Sequence, residues 1–127
     1  MGYDVEFLQI PVPPGLNFPV AAETAKSLRS NVISFDDVER LRAELHSLEG
    51  CRPGPKKTVD YLGRGLNYAR LTVKKNRIHV ENNASVPELL KIYRQLAEKY
   101  PTLVILDLQN QQLHDADSFS RWWAKPL

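Results

Sequence analysis

Hydrophobic and polar positions switch between a period of two and a period of three to four along this chain, and the switches mark its elements. From Tyr3 to Ile10 (YDVEFLQI) β-forming side chains alternate loosely with polar ones, which predicts a first strand. Pro11-Val12-Pro13-Pro14-Gly15 ends it, because proline supplies no ladder N–H and fixes φ. Good helix formers from Ala21 to Arg29 predict a short helix. Val38, Leu41, Leu45 and Leu48 then recur every three or four positions, the apolar stripe of a second helix whose charged residues fall mostly off that stripe. Ser34 suits its cap, Asp36 and Asp37 its positive end, and Gly50 the position past its last turn. Cys51 to Lys57 (CRPGPKK) reads as a loop by its proline and glycine content.

Alternation returns at Tyr68–Lys74, with Ala69, Leu71 and Val73 on one side, and again at Arg77–Glu81, with Ile78 and Val80 facing the same way across a turn. Ser85-Val86-Pro87-Glu88 is a capping box, in which serine and glutamate each bond the other's free backbone N–H. Leu89, Ile92, Tyr93, Leu96 and Tyr100 follow at helical spacing, and Pro101 stops the helix. The aliphatic run in Thr102–Leu108 predicts a buried strand. Gln109–Gln112 is a polar turn, Leu113-His114 a short return strand, and Asp115 or Asp117 the cap of a last helix bearing Phe119, Trp122 and Trp123. Together these elements predict a single α+β domain over residues 1–127. Its sheet is mainly antiparallel, of about four to five strands, with two to three helices on one face.

Composition supports this reading: 43% hydrophobic and 25% charged residues are ordinary globular values. The one cysteine, Cys51, forms no internal disulfide and builds no cysteine-based metal site, although Arg52 beside it would lower its pKa. The N-terminal residues lack the basic-then-apolar order of a signal peptide, and Glu6 stands where a myristoylation motif wants serine or threonine. The longest apolar run, Leu103–Leu106, is far short of a membrane span. The expectation is a cytoplasmic protein with no cofactor and no metal.

Charge changes the picture. The net charge is +2, but Arg52 to Arg77 holds eight basic residues against the single acid Asp60, so the rest of the chain carries −5. Either these side chains line the wet face of a hairpin, or they make a nucleic-acid surface. In the second case Arg64, Arg70, Lys74, Lys75 and Arg77 would meet phosphates while Tyr68 stacks on a base. Gly63-Arg64-Gly65 lacks the third glycine and the strand-to-helix setting of a dinucleotide loop and reads as a turn.

The remaining chemistry lies near the C-terminus. Asp107, His114, Asp115 and Asp117 are of the types that ligate divalent metals or perform acid–base work, yet their spacing matches no metal motif. Adjacent tryptophans on a helix point about 100° apart. One of Trp122 and Trp123 therefore faces outward as a candidate interface anchor. His46 and His79 have no nucleophile at a telling spacing.

The stretch Ser85–Phe119 joins a capped amphipathic helix, Leu103-Val104-Ile105-Leu106-Asp107, a Gln-Asn-Gln turn and Leu113-His114-Asp115-Ala116-Asp117-Ser118-Phe119. It resembles the C-terminal half of small bacterial immunity-type proteins encoded beside secreted toxins, including partners of type VI and contact-dependent effectors. The resemblance implies a cytosolic inhibitor that occludes a toxin and performs no reaction. The leading expectation is thus a bacterial protein-binding module, with Asp107, His114, Asp115, Asp117, Trp122 and Trp123 at the interface. A nucleic-acid-binding accessory domain is the alternative, an enzyme with a pocket around Asp107 and His114 is third, and a homodimer is compatible with all three.

Overall fold

The computed structural model describes residues 3–123, the side chain of Trp123 excepted. Its strands are β1 (Val5–Gln9), β2 (Cys51–Pro53), β3 (Val59–Leu62), β4 (Tyr68–Val73), β5 (Ile78–Asn82), β6 (Leu103–Asp107) and β7 (Leu113–His114). Its helices are α1 (Ala22–Leu28), α2 (Val38–His46), α3 (Val86–Lys99) and α4 (Ala116–Trp123), with 3₁₀ turns at Arg29–Asn31 and Pro55–Lys57. The seven strands form one antiparallel sheet in the order β2-β3-β4-β5-β1-β6-β7. The N-terminal strand lies inside the sheet between β5 and β6, Val5 opposite both Val80 and Asp107.

Strand alternation gives the sheet two faces. One carries Val5, Phe7, Val59, Tyr61, Ala69, Leu71, Ile78, Val80 and Ile105, and α2, α3 and α4 close over it with Leu41, Leu45, Leu89, Ile92, Leu96 and Phe119. Each fully buried leucine there contributes about 1.5–3 kcal/mol. The other face is apolar only across β1, β6 and β7, where Leu8, Val104, Leu106 and Leu113 pack under Ala25 and Leu28 of α1. Beneath β2–β5 that second face has no helix among the described residues and bears mostly polar side chains, with Leu62 at its end.

The α+β class is as the sequence predicts, with a larger sheet and with α1 on the face opposite the other helices. Asp37, not Ser34, caps α2, accepting from Arg40 N at 3.0 Å. The expected loop at 51–57 is β2 followed by a 3₁₀ turn, and proline at 53 is tolerated because β2 is an edge strand. β3 was not foreseen, since four residues give too few alternations to read. Both sheet edges are blunted: β2 has three residues, and β7 is covered by reciprocal Val20–Leu113 backbone bonds of 2.8 and 3.2 Å. No helix among the described residues is long and apolar enough to cross a membrane.

Candidate functional site

β6 delivers Asp107 into the interior, and β7 and α4 bring His114 and Ser118 to it. Asp107 Oδ1 accepts from the Tyr3 hydroxyl, from Gln109 N at 2.9 Å and from Asn110 N at 3.1 Å, while Oδ2 accepts from Asn110 Nδ2 at 3.2 Å. His114 Nε2 stands 3.8 Å from Oδ2, too far for a hydrogen bond but near enough to act through its charge distribution. Its Nδ1 lies 3.0 Å from Ser118 Oγ. Nε2 has no hydrogen-bond partner among the described residues, and Ser118 Oγ also donates to the Asp115 carbonyl at 3.4 Å. Burial works to raise the Asp107 pKa, but His114, Tyr3 and the two turn N–H groups outweigh it and hold the carboxyl at about 2. The same burial and the Asp107 carboxylate raise the Tyr3 hydroxyl, so it stays a donor.

Serine, histidine and aspartate thus line up in the order of a nucleophilic triad. They are sealed: Ser118 is 1% exposed, and Asp107 and His114 are 0%. Phe119 and Trp122 pack on the imidazole, with ring centroids 5.4 and 5.7 Å from it. The groups that an acid–base pocket required do converge, but the pocket is filled by side chains. The assembly ties the segment before β1, the β6–β7 turn and α4 together.

This burial also revises the expected interface. Asp107 and His114 have no surface to offer a partner, because the strands bearing them lie beneath α4. Asp115 is the cap of α4, accepting from Ser118 N at 2.8 Å, so its carboxylate is committed to the helix. Trp122 is half-buried against Tyr3, His114 and Phe119. Asp117 is exposed, 4.0 Å from Arg94. The Trp123 side chain lies outside the described residues. Among those residues no three His, Cys, Asp or Glu side chains gather as a metal set.

The basic stretch is rearranged by pairing. Across the open sheet face Arg52, Asp60, Arg70 and Glu81 stand side by side in register, alternating in sign over four strands. Arg70 grips Asp60 in a two-pronged pair, Nε–Oδ1 2.8 Å and Nη2–Oδ2 3.2 Å, which holds the Asp60 carboxyl below its ordinary range. The Arg70 guanidinium also lies 5.9 Å over the Tyr68 ring. Arg77 Nε is 3.3 Å from Glu6, an acid supplied by the distant first strand. Arg64 lies before β4, and Lys74 and Lys75 lie after it, about 20 Å away along a six-residue strand. The candidate phosphate-binding residues therefore share no single basic patch. Cys51 is likewise corrected: burial pushes its thiol up to about 11, against the lowering expected from Arg52.

One feature escaped the sequence reading. In the β3–β4 loop Leu66 is 97% exposed, and Leu62 beside it on β3 is 40% exposed. The loop around Leu66 is nonetheless tied down. Gly63 N donates to Asn67 O at 2.9 Å, Asn67 N and Nδ2 donate to Arg64 O at 3.1 and 2.6 Å, and Arg64 N donates to Glu88 Oε1 at 3.4 Å. Glu88 also accepts from Tyr61 OH at 2.6 Å; burial and then this carboxylate push the Tyr61 hydroxyl up to about 12. The capping box is therefore half made. Ser85 Oγ receives Glu88 N at 3.4 Å, but Ser85 N turns to Asn67 Oδ1 at 2.6 Å and frees the glutamate to hold the loop. Gly63 leaves room for this carboxylate, since a Cβ there would sit 1.9 Å from Glu88 Oε1 and the glutamate would have to move. The turn-like Gly-Arg-Gly was legible; its exposed leucine and its anchor 24 residues away from Arg64 were not.

Comparison with known protein families, with curated proteins and with solved structures finds no match for this chain.

Proposed function

We propose that this chain is a non-catalytic protein-binding module whose contact surface is the β3–β4 loop and the open sheet face beside it. The observation that carries this reading is Leu66, an almost fully exposed leucine on a loop held by hydrogen bonds at both ends. Burying such a side chain in a partner releases about 1.5–3 kcal/mol. Because the loop is already ordered, little of that is lost to fixing the backbone on binding. Leu62, Tyr68 and Arg70 extend the surface with an apolar, an aromatic and a guanidinium group, types enriched at binding hot spots in the last two cases. Blunted sheet edges argue against recognition by strand addition and for recognition by side chains.

The specific form we put forward is a cytoplasmic immunity-type protein that occludes a cognate toxin, resting on the resemblance of Ser85–Phe119. The partner face moves from the acidic C-terminal turn to Leu66; among the described side chains of the earlier set Asp117 is exposed and Asp115 and Trp122 are half-buried. The nucleic-acid alternative has weaker support, because Arg70 and Arg77 are already paired with acids and Arg64 lies at the opposite end of β4 from Lys74 and Lys75. Binding of the purified chain to the product of an adjacent toxin-like gene, measured by calorimetry, tests the proposal. Leu66→Asp should weaken binding at least tenfold while leaving the unfolding midpoint in urea unchanged. Equal binding by both forms, or binding to DNA that falls steeply with salt, overturns it.

A further inference from the structure

We infer that the groove between the Arg29–Asn31 turn and the β4–β5 turn binds an organic carboxylate, independently of any protein bound at Leu66. Four stretches far apart in sequence close this hollow of about 430 Å³ on the second face of the sheet, within the range of about 300–1,000 Å³ common for ligand sites. Leu8, Val32 and Leu108 line its apolar part. Arg29 and Arg77 line it from separate turns, and each guanidinium is held in place by a neutral amide.

Arg29 Nη1 donates to Gln111 Oε1 at 2.9 Å. Gln111 is itself fixed, its Nε2 donating to Leu108 O at 2.7 Å and its backbone in the left-handed region at φ 59°. That conformation disfavours a glutamine, and the side chain it projects is the one that orients Arg29. Arg77 Nη1 donates to Asn76 Oδ1 at 3.0 Å, and its Nε lies 3.3 Å from Glu6 Oε2. The same Glu6 oxygen is 3.3 Å from His79 Nδ1, so the one carboxylate in the groove is already engaged. An arginine carries five N–H donors in a planar fork that fits a carboxylate. Toward the described residues Arg29 and Arg77 each make one side-chain hydrogen bond, and Arg77 is also ion-paired with Glu6. Two oriented cations over an aliphatic floor select an anion with a short apolar body. A bare phosphate would leave the floor wet, and a cation would be repelled.

The carboxylate would come either from a free small acid or from the end of a peptide chain, and titrations of the full chain followed by amide and methyl NMR separate the two. The probes are butyrate, N-acetyl-leucine, N-acetyl-leucine amide and inorganic phosphate. Butyrate and N-acetyl-leucine should shift the Leu8, Val32 and Leu108 methyls and the Arg29 and Arg77 Nε–H signals saturably, while the amide leaves them unmoved. Tighter N-acetyl-leucine assigns the site to a chain terminus and tighter butyrate to a free acid; both orderings support the inference. Arg29→Gln, at an exposed position, and Gln111→Gly, which relieves the backbone while releasing Arg29, should each weaken binding at least fivefold with the rest of the spectrum intact. Absence of saturable shifts, equal shifts with the amide, phosphate binding as tightly as butyrate, or wild-type affinity in both variants overturns the inference.

Discussion

Asp107→Asn tests whether the buried carboxylate is a charged keystone. In the folded protein its pKa is about 2 against an ordinary 3.8, and the sign follows from that lowering. The group contributes stability above pH 3.8, and the contribution fades as pH falls through about 2. The gap, at about 1.36 kcal/mol for each pH unit, corresponds to about 2 kcal/mol lost between about pH 4.5 and pH 2. Asparagine keeps one oxygen for Tyr3 and the Gln109 and Asn110 N–H groups but turns a second donor toward Asn110 Nδ2, now 3.2 Å from Oδ2. Loss of the charge and the donor–donor clash together should cost about 2–4 kcal/mol at pH 6. Urea unfolding followed by tryptophan fluorescence reads both quantities, and with a slope of about 2 kcal/mol per molar the Asp107 share of the fall in wild-type midpoint on acidification should be roughly 1 M. Other carboxylates held low by arginines, Asp60 among them, contribute to that fall, so the difference between wild type and variant isolates Asp107. If both proteins lose the same stability between pH 6 and pH 2, the carboxylate is not held ionised by the network.

Gly63→Ala should destabilise by about 1–3 kcal/mol by displacing Glu88, and Glu88→Ala in the same chain should recover much of the clash, which a double-mutant cycle in urea measures. Asp115→Ala removes the α4 cap and should cost about 0.5–2 kcal/mol by the same assay, with no dependence on an adjacent-gene partner. Cys51, raised from 9.0 to about 11, should react with an aromatic disulfide at pH 8 about a hundredfold more slowly than an ordinary thiol, until denaturant exposes it.

What was legible in the sequence was whatever a local period or cap encodes. The α3 stripe, the β4–β5 pairing with Ala69, Leu71, Val73, Ile78 and Val80 on one face, and the fully buried β6 all follow their patterns. What was not legible depends on partners distant in the chain. β2 and β3 have three and four residues, too short for a period to emerge, and they exist because β4 offers them an edge. Ala25 and Leu28 mark a helix with one apolar side, but nothing local says which face of the sheet that side meets. The candidate site behaved the same way. Asp107 and His114 were recognised as a cluster, yet only the packing of Phe119 and Trp122 against the imidazole closes it to solvent.

Charge shows most plainly why linear order misleads here. Read along the chain, Arg52 to Arg77 is a block of like sign that should repel itself and attract polyanions. Folding sets acids beside three of its arginines: Asp60 between Arg52 and Arg70, Glu81 on the other side of Arg70, Glu6 beside Arg77. At cross-strand spacing such opposite pairs each contribute roughly 0.2–1 kcal/mol, whereas like charges in the same row would oppose the register. The alternation therefore favours the observed register and engages Arg52, Arg70 and Arg77 within the sheet, while Arg64, Lys74 and Lys75 lie at the two ends of β4. The net charge of +7 along this stretch, eight basic residues less one acid, is thereby divided into separate local pairs and ends, so its linear charge density does not predict the surface it makes.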